Sequence, residues 1–317
     1  MDSAFGMRGL IARLRKGDEI AHLIALLFAL TLGIITVLIA MELYRNSALS
    51  RAKFGWAFLA TSIWDPVTEV FGAAPFIYGT LVTSAVALAI AVPLGVGAAV
   101  FLAELAPRRI SDALTLLIEL LAAVPSVVYG LIGVAVVVPV MRQHIEPALQ
   151  RVAGSLPLFS GPAYGVGYLT AGIVLAIMIV PFIVSVLREI LLAVPRDQRE
   201  AALALGATRW ESTWGVVLPY ARLGVYGAVF LALGRALGET MAVTMVIGNR
   251  PQIAASLLAP GYSMAAVIAN EFTEATGNMN LSALIEIGLV LFLLTMIINA
   301  FARLLILVTT RKGSVVA

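Results

Sequence analysis

Two ionisable residues stand where the surrounding sequence is apolar. The run from residue 220 to 247 contains Gly234-Arg235-Ala236-Leu237-Gly238-Glu239-Thr240. On a continuous helix Arg235 lies about 22 Å beyond Tyr220. A charge at that depth in a bilayer costs roughly 2.5–3.5 kcal/mol on insertion scales, so such a residue faces a bundle interior or a wet pathway. A guanidinium offers a planar fork of donors that suits tetrahedral oxyanions. Glu239 follows four residues later, so on one helix both side chains share a face and can pair. Arg235 would then hold a passing anion, and Glu239 would neutralise it between passages. A structural ion pair that fixes helix packing accounts for the same spacing. Glu119 and Glu286 sit in other apolar runs and are alternative partners. Gly234 and Gly238 predict close approach of another helix. Arg235, Glu239, Thr240 and Glu119 are the candidate pathway residues.

A second stretch carries recognition rather than chemistry. Pro195 suits a first helical position, and residues 196–205 are good helix formers with Arg196 and Glu200 four apart. Gly206 predicts a left-handed stop. Thr208 with Glu211 three residues on predicts a capping box and a second short helix through Trp210 and Trp214. Two short helices between long apolar runs make a rigid knob able to enter another protein's cleft.

The elements that hold these residues are membrane spans. Of 317 residues, 61% are hydrophobic and 12% charged, and mean hydropathy is +1.01. The fold class predicted is all-α and polytopic. Six crossings are expected at residues 20–41, 77–105, 110–140, 166–187, 220–247 and 281–308. The third is kinked at Pro125 and contains Glu119. Residues 20–41 are longer than a signal-peptide core of about 7–15 residues and lack a small-residue cleavage site, so they read as a retained span. Residues 42–75 are expected at the outer interface with Trp56 and Trp64. Residues 141–165 are expected as an external loop, and Ser263 to Phe272 as a short helix in a further external stretch. With this threading, fourteen of the 21 Lys and Arg residues fall on the side of the tails and the knob. Six fall opposite, with Arg235 apart. The positive-inside rule then makes that side cytoplasmic. Residues 1–19 and 311–317 become cytoplasmic tails.

Several classes are excluded. No cysteine is present, so there is no disulfide, thiol nucleophile or thiolate metal site. Two histidines do not make a zinc centre. Neither Lys16, Lys53 nor Lys312 lies in a phosphate-loop Gly-Lys-Ser/Thr triplet. If ATP drives this protein, another polypeptide binds it. The basic residues sit at span ends, which gives no nucleic-acid signal.

Glu200-Ala201-Ala202, then Gly206, then Val217-Leu218-Pro219 resembles the signature loop of ABC importer permeases. Within that superfamily, Glu119 to Gly130, Phe159-Ser160-Gly161-Pro162-Ala163 and Gly234 to Thr244 resemble the PstC-type permeases of bacterial phosphate importers. The likeness covers residues 70–310. It implies a type I importer (MetI-like) core at residues 71–310, with residues 20–70 as an added first span and external segment, and a cytoplasmic coupling hairpin at 195–219. It implies that Glu200, Ala201, Ala202, Gly206, Leu218 and Pro219 dock an ATPase. The implied partners are a second permease subunit of PstA type, two ATPase subunits of PstB type that carry ATP and magnesium, and an external phosphate-binding protein of PstS type. The chain would transport inorganic phosphate without being an enzyme or binding a cofactor itself. A permease for molybdate or sulfate, and an ATP-independent anion channel or secondary transporter, are the alternatives.

Overall fold

A computed structural model describes residues 18–313, with side chains for residues 20–307. The tails assigned to residues 1–19 and 311–317 lie outside the described residues apart from helix ends at 18–19 and 311–313. The chain forms α1 (Asp18–Asn46), α2 (Ala48–Phe54), α3 (Ala57–Ala60), β1 (Trp64–Asp65) and β2 (Val70–Phe71). Then come α4 (Ala74–Leu105), α5 (Arg108–Ala122), α6 (Ser126–Ala153), α7 (Tyr168–Leu192), α8 (Arg196–Ala204) and α9 (Arg209–Leu237). The last elements are α10 (Met241–Val246), α11 (Met264–Glu271) and α12 (Asn278–Gly313). Helices α1, α4, α6, α7, α9 and α12 are long and apolar enough to cross a membrane.

Helix α7 is the axis of the bundle. Its Leu175, Met178, Ile179, Ile183 and Leu187 are buried, as expected of a helix apolar all round. Lipid gives packed helices no hydrophobic reward, so close contact relies on small residues. Helix α4 supplies them at every fourth position: Ala87, Ala91, Gly95 and Ala99 are all buried. A side chain at Gly95 would meet Ile183 Cγ2 of α7 at 2.5 Å. A second core lies towards the opposite end from the α7–α9 connection. There Phe58, Phe71, Phe76, Tyr262 and Met264 pack with Leu284 and Ile287 of α12. The β1–β2 hairpin, paired Trp64 to Phe71, belongs to this core. Helix α1 stands at the edge and packs on α12.

Four helical turns widen to i→i+5 bonding: the amides of Ala106, Val138, Glu146 and Leu218 donate to the carbonyls of Phe101, Gly133, Met141 and Thr213. Each of these turns ends two residues before a proline, namely Pro107, Pro139, Pro147 and Pro219. A proline ring lacks the N–H and crowds the carbonyl four residues back. An extra residue in the preceding turn relieves that crowding. Pro93 and Pro181 lie within regular α-helix instead.

Two expected crossings are corrected. The third runs over Ser126–Ala153, not 110–140. Residues 108–122 form the separate amphipathic α5, because Arg108, Arg109, Asp112 and Glu119 leave only one apolar stripe. The α6 helix therefore takes in half of the external loop expected at 141–165. The fifth crossing ends at Leu237; residues 238–240 are not helical, and α10 starts afresh at Met241.

Candidate functional site

The α8–α9 connection folds as its spelling dictates. Pro195 precedes α8, and Gly206 adopts φ +87°, the left-handed stop. Thr208 Oγ1 accepts from the Glu211 amide while Glu211 Oε2 accepts from the Thr208 amide at 2.8 Å, closing the capping box. Glu200 and Ala201 are exposed, Ala202 is buried, Leu218 is half-buried and Pro219 is exposed. Trp210 and Trp214 meet edge to face with ring centroids 5.4 Å apart, and Leu205 is 90% exposed. The knob thus presents a bare apolar tip.

An ion pair not evident from residue types ties this knob to the bundle. Arg199 Nε donates to both oxygens of Glu104 at 3.1 Å, and Nη2 donates to Oε1 at 2.7 Å. Its remaining bonds reach the carbonyls of Leu191 and Val194 at the end of α7. Glu104 lies in the widened turn that ends α4. The signal was present in the sequence: a lone carboxylate at the end of an apolar run requires a partner. A cavity of about 400 Å³ opens beside this tether, lined by Glu104, Arg108, Arg196, Glu200 and Arg209 among others. The expected Arg196–Glu200 pair is not formed.

Arg235 sits at mid-bundle depth. Its guanidinium lies 5.3 Å from the ring centroid of Phe182, a residue about 21 Å from one end of α7 and about 15 Å from the other. Such a cation–π contact contributes about 0.5–2 kcal/mol. Among the described residues no carboxylate pairs with Arg235, and no hydrogen bond fixes its guanidinium. Tyr129 of α6 is close enough to feel its charge, while the Tyr129 hydroxyl donates to the Leu121 carbonyl at 2.7 Å.

The expected Arg235–Glu239 pair is not formed, because the helix carrying Arg235 stops at Leu237. Glu239 Oε1 instead accepts from the Ala242 amide at 3.2 Å, capping α10. Thr240 Oγ1 donates to the Gly238 carbonyl at 3.3 Å, and the Thr240 carbonyl accepts from Thr244 Oγ1 at 2.6 Å. Arg235, Glu239 and Thr240 are all half-buried around this break. Gly234 and Gly238 are not tightly pressed by another helix. A side chain at Gly234 would find only Asn299 Oδ1, at 3.9 Å, and one at Gly238 only the Gly234 carbonyl, at 3.7 Å. Glu119 is exposed on α5, outside the third crossing, and Glu286 is buried on α12 near Arg51; neither pairs with Arg235.

Residues 91–308 match the family described as binding-protein-dependent transport system inner membrane component. The chain is 44% identical to the phosphate transport system permease protein PstC of Mesorhizobium japonicum, over 96% of this chain and 94% of that protein. Against the PstC proteins of Haemophilus influenzae and Xylella fastidiosa the identities are 48% and 50%. These cover 88% and 81% of this chain, and 90% and 81% of theirs. The fold resembles a bacterial ABC transporter involved in import of the acidic polysaccharide alginate. That match has TM-score 0.55 and 16% identity, over 92% of this chain and 98% of that one. Helix order, the six crossings and the sequence matches agree: the chain belongs to the binding-protein-dependent inner membrane transport components, among the PstC-type permeases.

Proposed function

We propose that this chain is one permease subunit of an ATP-driven importer of inorganic phosphate and that Arg235 contacts the anion in transit. The observation that carries the reading is the unpaired guanidinium at mid-bundle depth beside a helix break. A charge so placed is costly, and an oxyanion with several acceptor oxygens offsets that cost by bidentate bonding. Broken helices are tolerated at membrane depth where they line a cavity, and transporters use such breaks at their midplane sites. The absence of a close helix–helix contact at Gly234 and Gly238, where a side chain's nearest neighbours would stand at 3.9 and 3.7 Å, supports a pathway rather than a packing seam. Glu239, held by its bond to α10, sits four residues away; rotation about the 238–240 break would bring it to Arg235 once the anion leaves. Thr240 supplies a hydroxyl at the same break.

The bare tip at Leu205, Trp210 and Trp214 fits the groove of an ATPase subunit, of PstB type, which would bind ATP and magnesium. Glu200, Ala201 and Gly206 would lie along that contact, with Leu218 and Pro219 carrying its motion into α9. Drawing two such knobs together would rock the helices between facings. The apolar face of α5, where Leu116, Leu117 and Leu120 are exposed around Glu119, fits cover by a second permease subunit of PstA type. A phosphate-binding protein of PstS type would dock on the side of the β1–β2 hairpin. The charge bias supports an orientation with both termini in the cytoplasm, and the chain would then sit in the inner membrane.

Uptake of labelled phosphate by proteoliposomes holding the reconstituted complex tests this reading. At matched assembly, Arg235→Gln should abolish uptake while ATP hydrolysis remains coupled to the external binding protein. Undiminished uptake would reduce Arg235 to a packing residue. Competition by excess molybdate or sulfate would reassign the cargo.

A further inference from the structure

A cavity of about 660 Å³ lies between α1, α2, α3 and α12, away from Arg235 and from the knob. That size falls within the range of small-molecule sites. Ala40, Leu289 and Leu293 give it apolar walls, and among the described residues Arg51 and Glu286 are its only charged lining residues. Glu286 is 5% exposed, and its Oε2 accepts no hydrogen bond. The buried Ser50 hydroxyl lies beside this carboxyl and is the neighbour placed to hydrogen-bond it. Glu286 has no ion-pair partner among the described residues, and an ionisable group so placed within a membrane crossing marks a site by default.

Arg51 is held in place rather than loose. Its Nε donates to Ser47 Oγ at 3.0 Å, Nη2 donates to the Tyr44 carbonyl, and the guanidinium lies 3.7 Å over the Tyr44 ring. Three of its five N–H donors remain for another acceptor. Arg51 and Glu286 carry opposite charges and share one cavity, yet they form no ion pair. A gap therefore separates a fixed cation from a fixed carboxylate. Trp56 at the cavity mouth is 89% exposed, and tryptophan in that position marks headgroup level.

We propose that this cavity binds a phospholipid of the ethanolamine type. The phosphate takes the free N–H groups of Arg51, the primary ammonium donates to Glu286, and an acyl chain runs along Ala40, Leu289 and Leu293. Charge complementarity selects this occupant. A choline headgroup carries no N–H to satisfy Oε2, and a glycerol headgroup offers only neutral hydroxyls there, which leave the Glu286 charge uncompensated.

The test is lipid retention by the assembled complex. The complex is reconstituted in vesicles of equal parts phosphatidylethanolamine, phosphatidylcholine and phosphatidylglycerol, extracted in mild detergent, and its retained lipid quantified by mass spectrometry. The wild type should retain the ethanolamine lipid about tenfold over either competitor, the ratio expected from one charge-assisted hydrogen bond. Glu286→Gln should remove about tenfold of that preference, and Ala40→Trp, which fills the cavity without touching a charge, should displace the lipid. Equal retention of the three lipids by the wild type overturns the proposal without any variant. So does preference for the glycerol lipid, or ethanolamine retention unchanged in both variants.

Discussion

Truncating Arg199 to alanine should detach the α8 knob from the bundle. Arg199 meets Glu104 through three N–H···O contacts and bonds two carbonyls at the end of α7. The side chains of Arg199 and Glu104 are only 19% and 10% exposed, and Leu191 and Val194 are buried. Removing the guanidinium leaves a mostly dry carboxylate and two carbonyls without donors. Breaking a buried pair costs about 3–5 kcal/mol; residual exposure of this one brings the figure to about 3 kcal/mol. At 1.4 kcal/mol per decade, opening of the knob becomes about a hundredfold more frequent. Hydrogen exchange on the detergent-solubilised complex reads this directly, as faster exchange across residues 196–204 with α12 unchanged. Glu104→Gln keeps the shape and an acceptor, and should give roughly a tenfold rise. If α8 exchange in Arg199→Ala matches the wild type, the tether does not hold the knob. If α12 accelerates equally, the residue supports the whole bundle instead.

Two glycines should respond differently. Gly206→Ala meets open space but an unfavourable φ of +87°, so it should cost about 1–2 kcal/mol, read as faster exchange at 201–207. Gly79→Ala would put its side chain 2.0 Å from the Tyr262 carbonyl and should lower the thermal midpoint of the complex further; equal midpoints for the two would refute the close packing of α4 on that loop. Thr208→Ala removes the capping box and should cost about 1 kcal/mol, visible as loss of amide protection at Glu211. On the opposite face, desolvation first and the Glu274 charge hold the Glu271 carboxyl above its ordinary value, partly opposed by bonds from Trp64 and Tyr262. A raised carboxyl favours the folded state below the ordinary value of 4.5 and loses that contribution as pH rises through its raised value. Stability of this face should therefore fall as pH rises above 4.5, and Glu271→Gln should flatten the dependence. A wild-type stability that does not change with pH there would contradict the burial of Glu271.

Composition and long apolar runs made the membrane class and six crossings legible, and short-range rules made the knob legible, because capping box and glycine stop act within a few residues. The misread third crossing has a physical cause. Residues 110–140 satisfy an apolar count, but the four ionisable residues of α5 confine its apolar side chains to one face, which only the folded packing on α4 and α7 exposes. The Arg235–Glu239 pair failed because spacing of four presumes an unbroken helix, and Gly238 ends it. The Arg199–Glu104 tether joins residues 95 positions apart; the sequence marks Glu104, at the end of an apolar run, but does not name the cation that meets it.

Helix α9 connects the two proposed working ends of the chain. Helix α9 begins at the knob with a widened turn at Thr213–Val217 and ends at the break beside Arg235. The extra residue ahead of Pro219 gives that end of the helix a bonding pattern able to shift by one residue, since the carbonyls there have lost regular i→i+4 partners. At the far end, Gly238 imposes no side chain on the turn into α10. Between them the helix is regular from Leu218 to Leu237, so a displacement of the knob reaches the break largely as rigid motion. Proline at the near end and glycine at the far end therefore make α9 a lever with two joints. On that account the proposed anion contact and the proposed ATPase contact move together without any residue touching both.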